Sequence, residues 1–411
     1  MKKKIYVRAP CLSQSGYGEQ SRFALRALRK YEDLFEIYIQ PLPWGKTGWV
    51  WEDTEFRRWM DLRIQQTQAQ IQQNKMKPDV SLQITIPLEF EKIAPVNIGY
   101  TAGIETNLVS PQWLPRGNEM DKILVVSSHA KESYQSTVAT ATSKETGESM
   151  PYKLTTPIEV VHETTPRHDP EPIDSFDVKT DFNYLMISQF SPRKNYENAI
   201  RWWIEEFVDQ KVGLVIKTNT ASNSIMDLER TETIINNIVS KYPDRKCKVY
   251  LIHGDLSPGQ MTWLYRHEKI KALVNIAHGE GFGLPMFEAA REALPIITVG
   301  WSGQVDFLHH DGKDYFQAVD YSMAPVPPQA VWPGVIEKET MWANADQGSY
   351  KMTLRKTRKK WKQAKKTAVE LQKIINEEFS DEKLFEGFVS QIRYYLMDEN
   401  NAFSFFDREN Q

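Results

Sequence analysis

The sequence predicts an α/β protein built from two doubly wound domains, each with a parallel sheet. Its 411 residues exceed one ordinary domain. Short apolar strands alternate with stretches long enough for a helix, which is the pattern of parallel βαβ units. Several strands are apolar throughout, such as residues 123–126, as expected where helices cover both faces of a sheet. A proline-punctuated acidic stretch, residues 166–181, separates the strands into two sets.

Twelve strands are predicted, six on each side of this stretch. The first six are Lys4–Ala9, Phe35–Leu42, Val80–Thr85, Val96–Thr101, Lys122–Ser128 and Ile158–His162. The second six are Tyr184–Phe190, Val212–Asn219, Lys248–Gly254, Ala272–Ala277, Pro295–Gly300 and Tyr315–Tyr321. We therefore expect an N-terminal domain over residues 1–165, a linker over 166–181 and a C-terminal domain over 182–378. A helical segment over 379–411 is expected to pack back on the N-terminal domain.

The segments between the strands have their own signatures. A helical run over Glu19–Lys30 follows the first strand. The polar, Gln-rich stretch Arg63–Lys77 predicts an exposed helix with little core contact. The stretch Ser136–Met150 is rich in Ser and Thr and predicts a mobile surface loop, and Pro325–Pro333 predicts an extended connection.

Composition and charge exclude several classes of protein. Hydrophobic residues make up 41% and charged residues 26% of the chain, which excludes wholesale disorder. The 51 basic and 54 acidic residues give a net charge of −3, which argues against a chain that coats nucleic acid with its whole surface. With only Cys11 and Cys247, neither a disulfide scaffold nor a Cys-x-x-Cys zinc site is possible. We expect a cytoplasmic protein without a signal peptide or a transmembrane segment.

A glycine-containing loop follows the first predicted strand. Gly16 and Gly18 allow close approach of the backbone to a ligand, and the N–H groups of the next helix can face an anion. The dinucleotide fingerprint is incomplete, because Ser21 occupies the position of its third glycine. A tight turn that binds no ligand is therefore an equally good interpretation of this loop. The sequence Trp44-Gly45-Lys46-Thr47 lacks the first glycine of a P-loop.

The most specific motif is the run His278–Glu288, directly after a predicted strand. Gly281 and Gly283 free the backbone, and Pro285 occupies a position typical of a first helical turn. The helix start suits a diphosphate because its N–H groups and partial positive charge face outward. The carboxylates of Glu280 and Glu288 can accept hydrogen bonds from hydroxyls of a sugar and a ribose.

This motif resembles the signature of the family-four retaining glycosyltransferases, which have the GT-B fold. The resemblance continues through Ala289–Gly303 and includes Tyr184–Asn195, which is similar to the first strand and phosphate-binding loop of that family's second domain. Ile158–Thr165 is similar to its last N-terminal strand, and the Gly16 and Gly18 loop to its acceptor-side loop. The resemblance implies transfer of a sugar from a nucleotide-diphosphate sugar to an acceptor hydroxyl with retention of configuration.

The resemblance also implies roles for individual residues. Glu280 would position the donor sugar as the catalytic residue, Glu288 would bind the ribose, and Arg193 and Lys194 would bind the diphosphate. The remaining donor-site residues are Gly281, Phe282, Gly283 and Leu284. Gly16 and Gly18 are expected on the acceptor side. Glu105 follows the predicted strand Val96–Thr101 and either faces the cleft on that side or is an ordinary surface acid. A fixed ammonium and helix N–H groups stabilise a leaving diphosphate without a metal, so neither a metal nor a cofactor is predicted.

Four residues depart from the family pattern. Ser188-Gln189 replaces the usual Gly-Arg, so we expect Arg193 to substitute for the missing arginine. Ala293 and Glu163 stand where glycine is usual. His162 and His278 border the motifs, and a structural role is the simpler interpretation of both.

A basic stretch leaves the chemical identity of the acceptor undecided. Lys351–Lys366 contains nine Lys or Arg residues and predicts an amphipathic helix whose charged face is either solvated or binds DNA or anionic lipid. The acceptor is therefore a saccharide or glycan, or a modified base in DNA. Two further alternatives are a sugar-nucleotide epimerase, which needs no acceptor, and a sugar-binding protein without activity, against which intact Glu280, Glu288 and Lys194 argue.

Overall fold

The computed structural model describes residues 2–45, 47–142 and 146–395, and the chain forms two six-stranded parallel sheets. The elements of the N-terminal half are β1 (Lys3–Ala9), α1 (Gly16–Lys30), β2 (Phe35–Pro41), α2 (Glu55–Gln72), β3 (Val80–Ile84), β4 (Val96–Thr101), α3 (Trp113–Gly117), β5 (Lys122–Val125), α4 (Ser128–Ser136), β6 (Ala139–Thr142), β7 (Ser149–Tyr152) and β8 (Ile158–Val160). The first sheet has the strand order β2-β1-β3-β4-β5-β8, and all its neighbouring strands are parallel.

The second sheet is built in the same way. Its half of the chain contains β9 (Asn183–Ile187), α5 (Tyr196–Phe207), β10 (Gly213–Thr218), α6 (Ile225–Val239), β11 (Lys248–His253), α7 (Pro258–Arg266), β12 (Ile270–Asn275), α8 (Leu284–Arg291), β13 (Ile296–Val299), α9 (Val305–Leu308), β14 (His309–His310), β15 (Lys313–Asp314), β16 (Gln317–Val319), β17 (Tyr321–Pro325), β18 (Met341–Ala345), α10 (Gln347–Lys359), α11 (Trp361–Glu378) and α12 (Asp381–Arg393). The order β11-β10-β9-β12-β13-β16 reverses direction between β9 and β12. Such a switch point opens a crevice at the carboxyl ends of the strands.

The two doubly wound domains predicted from the sequence are confirmed, since every predicted strand lies in one of the two sheets. The apolar runs explain this agreement. Leu185, Val215 and Leu273 lie on neighbouring strands and are fully buried or nearly so, as are most central positions of both sheets. A strand buried on both faces must be apolar throughout, and this leaves a strong signal in the sequence.

Three connecting segments differ from the prediction. Helix α1 begins at Gly16 because Ser15 caps it by accepting from the Gly18 N–H, so both glycines of the loop lie in its first turn. Helix α2 begins at Glu55 and ends at Gln72 and is therefore shifted from the predicted 63–77. The predicted loop 136–150 contains most of the antiparallel hairpin β6–β7, and its residues 143–145 lie outside the described residues.

The basic stretch Lys351–Lys366 forms two helices, and the prediction of a single helix is wrong. Helix α10 ends at Lys359, and Lys360 leaves helical geometry with φ −111° and ψ 33°. The break lets Trp361 donate from its indole nitrogen to the Lys271 carbonyl, 2.9 Å away, while the apolar stripe of α11 packs against the core. That stripe consists of Ala364, Ala368, Leu371 and Ile375, all buried.

The C-terminal helix α12 lies against the first domain. Its Phe385 and Phe388 rings lie 5.7 and 5.8 Å from the ring of Phe23 on α1, and Phe388 also meets Tyr100 on β4. None of the helices in the described part of the chain is both long and apolar enough to cross a membrane.

The hairpin β17–β18 carries a segment that joins the two domains. Between its strands, the Gly334 carbonyl accepts from the indole nitrogen of Trp113 at 2.6 Å, and Glu337 accepts from Ser110 at 2.5 Å. Gly334 takes φ +81°, a conformation that favours glycine. The C-terminal domain therefore contacts the N-terminal domain through this segment as well as through the linker.

Candidate active site

Three of the sequence-predicted donor residues, Arg193, Lys194 and Glu280, lie at the switch point of the second sheet, in the loops that follow β9 and β12. After β9, a short 3₁₀ turn over Pro192–Lys194 leads to Asn195, which has φ +54°. Two hydrogen bonds tie this turn to the segment after β12. The His278 N–H donates to the Arg193 carbonyl at 2.9 Å, and the Asn195 side chain donates to the Ile276 carbonyl at 3.2 Å. The loop that carries both cations is thus fixed beside the loop that carries Glu280.

Glu280 is the centre of a buried charge cluster. Lys194 Nζ lies 2.5 and 2.7 Å from its two carboxylate oxygens, and Arg193 Nη1 lies 3.2 Å from one of them. The Asn275 side-chain amide donates to Glu280 Oε1 at 3.0 Å. The Ser302 hydroxyl accepts from the Glu280 N–H at 2.9 Å. Both the backbone and the carboxylate of Glu280 are therefore fixed.

The charges of this cluster set the ionisation of its members. Burial disfavours the carboxylate of Glu280, but the adjacent Lys194 and Arg193 outweigh burial and lower its pKa to about 2. Burial and the nearby Arg193 guanidinium lower the pKa of Lys194. Burial opposes the charge of Arg193, but Glu105 and Glu280 raise its pKa. At neutral pH we therefore describe Glu280 as ionised between two cations.

Glu105 reaches the same cluster from the first domain. Its carboxylate lies 3.4 Å from Arg193 Nη2, and its side chain is 16% exposed. Arg193 thus bridges an acid of each domain, and Glu105 lies where the acceptor side was predicted to meet the donor side. The negative charges of two carboxylates and the positive charges of Arg193 and Lys194 therefore balance at this point of the cleft.

The glycines of the motif are needed for the contact between the domains. A Cβ at Gly281 would lie 1.9 Å from the Ala102 carbonyl oxygen, and one at Gly279 would lie 2.1 Å from the Glu105 carbonyl oxygen. The Gly281 carbonyl also accepts from the Ser127 hydroxyl of the first domain at 2.7 Å. Backbone in the first domain therefore occupies the space beside Gly281 that the sequence interpretation gave to a ligand.

Gly283, Phe282 and Leu284 shape the start of α8. Gly283 precedes the helix with φ +95°, and Leu284 is the first helical residue. The Phe282 side chain is 3% exposed and packs against the rings of Phe287 and Phe307, at 5.5 and 5.1 Å. Phe282 thus anchors the loop in the core.

Glu288 has partners that differ from those of Glu280. Tyr265 on α7 donates its hydroxyl to Glu288 Oε2 at 2.9 Å. Burial raises the pKa of Glu288, while Tyr265, Arg291 and the Thr165 side chain oppose this rise. Glu288 therefore lies beside the start of the predicted linker, where Arg291 also binds the Thr165 carbonyl at 2.5 Å.

On the acceptor side, Gly18 is required by packing and Gly16 is not. A Cβ at Gly18 would lie 2.0 Å from the Ser13 carbonyl oxygen, whereas nothing lies within 4 Å of one at Gly16. Between them, Tyr17 accepts at its hydroxyl from the N–H groups of Ala102 and Gly103, at 3.2 and 3.0 Å. The first turn of α1 therefore supports the segment that meets Gly281.

Both histidines beside the motifs have structural partners. The His278 ring stacks on Trp342 at 4.4 Å, and its Nδ1 lies 2.7 Å from the Ala343 carbonyl oxygen. His162 Nε2 lies 2.8 Å from Asp306 in the second domain. Among the described residues, no group of three or more His, Cys, Asp or Glu side chains could hold a metal ion.

The sequence interpretation missed several residues that fix the site. Asn275 is the last residue of β12, so its position at a carboxyl strand end was an available signal. Ser302 adopts φ +80°, which is uncommon for a residue other than glycine and cannot be inferred from a serine. Tyr265 and Tyr17 lie on helices and gave no signal, because their contacts arise only when distant elements pack.

No family model matches the chain, and neither does any curated protein. Solved structures are similar over nearly the whole chain. Sucrose-phosphate synthase from Thermosynechococcus elongatus has a TM-score of 0.60 at 11% identity, with 96% of this chain and 99% of that chain covered. Anabaena HepE in complex with UDP and glucose has a TM-score of 0.57 at 11% identity, with 95% and 100% covered.

A glycosyltransferase from Rickettsia africae has a TM-score of 0.59 at 10% identity, with 97% of this chain and 100% of that chain covered. Against S. aureus TarM, the TM-score is 0.48 at 13% identity, and the match covers 76% of this chain and 54% of that protein. With two parallel-sheet domains in the order described above, the chain has the GT-B fold.

Proposed function

We propose that this protein is a glycosyltransferase that moves a sugar from a nucleotide-diphosphate sugar to an acceptor hydroxyl, with retention of configuration and without a metal. One observation carries the proposal. Lys194 and Arg193 are held as a cation pair beside Glu280, at the switch point where ligands of doubly wound sheets bind. HepE, a protein of the same fold, binds UDP and glucose.

The cluster supplies what a departing diphosphate needs. As the glycosidic bond breaks, negative charge grows on the phosphate oxygens, and a fixed ammonium and guanidinium stabilise this charge. Lys194 is held by Glu280 and Arg193 by Glu280 and Glu105, so neither cation must be ordered when the donor binds. Arg193 thereby takes the place of the family's usual arginine, whose position is occupied by Gln189 in this chain.

The two glutamates have different roles in the proposal. Glu280 is ionised and surrounded by donors, so it positions the donor sugar and does not act as a general base. Glu288 accepts from the ribose hydroxyls beside Tyr265. The departing phosphate itself takes the proton of the acceptor hydroxyl. The reaction takes place in a reducing, cytoplasmic compartment, where Cys11 and Cys247 stay free.

We favour a saccharide acceptor over a base in DNA because of where the basic stretch lies. Arg358 binds Gln210 just before β10, and Trp361 binds Lys271 at the beginning of β12. The exposed lysines around them therefore lie at the amino ends of the strands, opposite to Glu280. Glu205 and Glu206 on α5 neutralise Lys351 and Arg355, which reduces the charge that remains for a partner.

Product analysis tests the proposal and separates it from an epimerase. The enzyme is incubated with UDP-glucose and other nucleotide sugars, with and without a mixture of saccharide acceptors. We expect a glycosylated acceptor whose anomeric configuration by NMR equals that of the donor, and undiminished activity in EDTA. A new nucleotide sugar formed from the donor alone would indicate an epimerase. Loss of activity in EDTA that magnesium or manganese restores would contradict the metal-independent mechanism.

A further inference from the structure

A cavity of about 300 Å³ opens in the first domain beside the carboxyl ends of β1 and β2. Most of the residues that line it are apolar, among them Leu12, Pro41, Trp44 and Trp49, and Ser13 and Thr47 are its hydroxyl-bearing residues. The volume is at the small end of the range for ligand pockets, about 300–1,000 Å³.

The walls of this cavity are fixed before any ligand binds. Ser13 and Trp49 form an antiparallel bridge, which the Gln14 N–H and the Val50 N–H extend by donating to the carbonyls of Gly48 and Leu12, both at 2.9 Å. Ser13 Oγ lies 2.7 Å from Thr47 Oγ1. Because the backbone is paired on both sides of Trp49, the indole is presented on a supported segment.

The aromatic side chains here are unusually accessible. Trp49 is 55% exposed although it lines the cavity, and Trp51, two residues further on, is 84% exposed. An exposed aromatic surface beside a cavity indicates a binding site, since burying it removes apolar area from water. The described residues that line the cavity have uncharged side chains.

A chain of contacts joins the cavity to the charge cluster. The Trp44 ring lies 4.3 Å from the ring of Tyr17. The Tyr17 hydroxyl accepts from the N–H of Ala102, whose carbonyl oxygen faces Gly281. Tyr17 and Ala102 therefore lie between the cavity and Gly281, in the loop that carries Glu280.

We propose that this cavity is an acceptor subsite that stacks a pyranose ring of a saccharide against the indole of Trp49. The C–H face of a pyranose suits the negative face of an indole. Ser13 and Thr47 donate to Ser15 Oγ and to the Trp44 carbonyl, at 2.8 and 2.7 Å, so their oxygens are left to accept from ring hydroxyls. The inference rests on the proposed glycosyl transfer and adds to it the class of acceptor and its place of binding. A base of single-stranded DNA is the competing occupant, which would need cations for its phosphates.

Saturation-transfer NMR on the full chain tests the subsite. The probes are the methyl glycosides of glucose, galactose, mannose and N-acetylglucosamine, titrated in the presence of saturating UDP. We expect at least one glycoside to bind, Trp49→Ala to weaken that binding about tenfold or more, and Trp49→Phe to retain part of it. Trp51→Ala is the matched control, because it removes an exposed indole of the same segment outside the cavity.

The outcomes distinguish the subsite from the proposed function. If UDP binds to all variants alike and Trp49→Ala leaves glycoside binding unchanged, the subsite is wrong and the transferase proposal stands. Failure of every glycoside to bind, or oligonucleotide binding that depends on Trp49, overturns the saccharide subsite. Failure of UDP, ADP, GDP, CDP and dTDP to bind the wild-type chain contradicts the proposed function itself.

Discussion

Lys194 Nζ contacts both carboxylate oxygens of Glu280, at 2.5 and 2.7 Å, and the pair is buried. The two residues come from loops that follow different strands of the second sheet. Their contact therefore reports the alignment of the β9 and β12 ends directly. The pair keeps the ammonium in place, but it also means that a phosphate must share Lys194 with a carboxylate that is already there.

Replacing Glu288 tests the ribose assignment. Glu288→Ala removes a charged acceptor, and we expect nucleoside diphosphate affinity to fall by roughly 1.5–3 kcal/mol. Calorimetry on the folded variant measures the change. The matched control is Glu292→Ala, four residues further on, whose carboxylate binds Arg266 at 2.5 Å. Equal affinities for wild type and Glu288→Ala would remove Glu288 from the site.

Adding one methyl group at Gly281 tests the contact between the domains. In Gly281→Ala the new Cβ meets the Ala102 carbonyl oxygen, which is backbone and cannot turn aside. We expect a loss of about 1–3 kcal/mol of stability, together with slower transfer, because the two loops must separate.

Thermal melting and initial rates measure both effects of Gly281→Ala. Gly387→Ala on α12 is the control, since nothing lies within 4 Å of its added Cβ. A Gly281→Ala variant with the melting temperature and the rate of wild type would show that this contact does not matter.

Glu163 predicts a pH dependence of stability. Its side chain is 3% exposed, and burial and the nearby Glu19 raise its pKa to about 8, while Arg26 opposes the rise. Between the ordinary glutamate pKa of 4.5 and about 8, the folded protein holds a proton that the unfolded chain has released. This group therefore makes the free energy of unfolding fall as pH rises through that window.

Melting curves of wild type and Glu163→Gln between pH 5 and pH 8 check this prediction. The variant has no ionisable group there, so its melting temperature should change less over the window. Glu197→Gln, at an exposed position of α5, controls for the loss of a surface carboxylate. Parallel curves for wild type and Glu163→Gln would show that Glu163 does not titrate in this range.

The basic stretch should be dispensable for transfer to a saccharide. Changing Lys356, Lys359 and Lys360 together to Gln removes exposed charge far from Glu280, and we expect an unchanged rate. DNA binding through about four phosphate contacts would instead give a slope of log affinity against log salt near −3.6. Anisotropy titrations that show such a slope in wild type, flattened in the triple variant, would favour the DNA acceptor.

The strands and the Glu280–Glu288 motif could be predicted from the sequence because both are local signals. Apolar runs such as that of β5 can be detected without knowing their neighbours. The contact of Lys194 with Glu280 and of Gly281 with Ala102 could not be predicted, since each joins segments distant in sequence. The end of α10 at Lys359 is set by the packing of Trp361, which the charge pattern does not reveal.

Calorimetry of nucleoside diphosphate binding to wild type, Lys194→Met and Glu280→Gln tests the central claim most directly. The ligand is whichever of UDP, ADP, GDP, CDP and dTDP raises the melting temperature of the wild-type chain most. We predict that Lys194→Met weakens binding about tenfold or more, since a charged hydrogen bond to phosphate is lost. Glu280→Gln should bind at least as tightly as wild type, because a negative charge beside the phosphates is removed. Unchanged affinity in Lys194→Met would contradict the account.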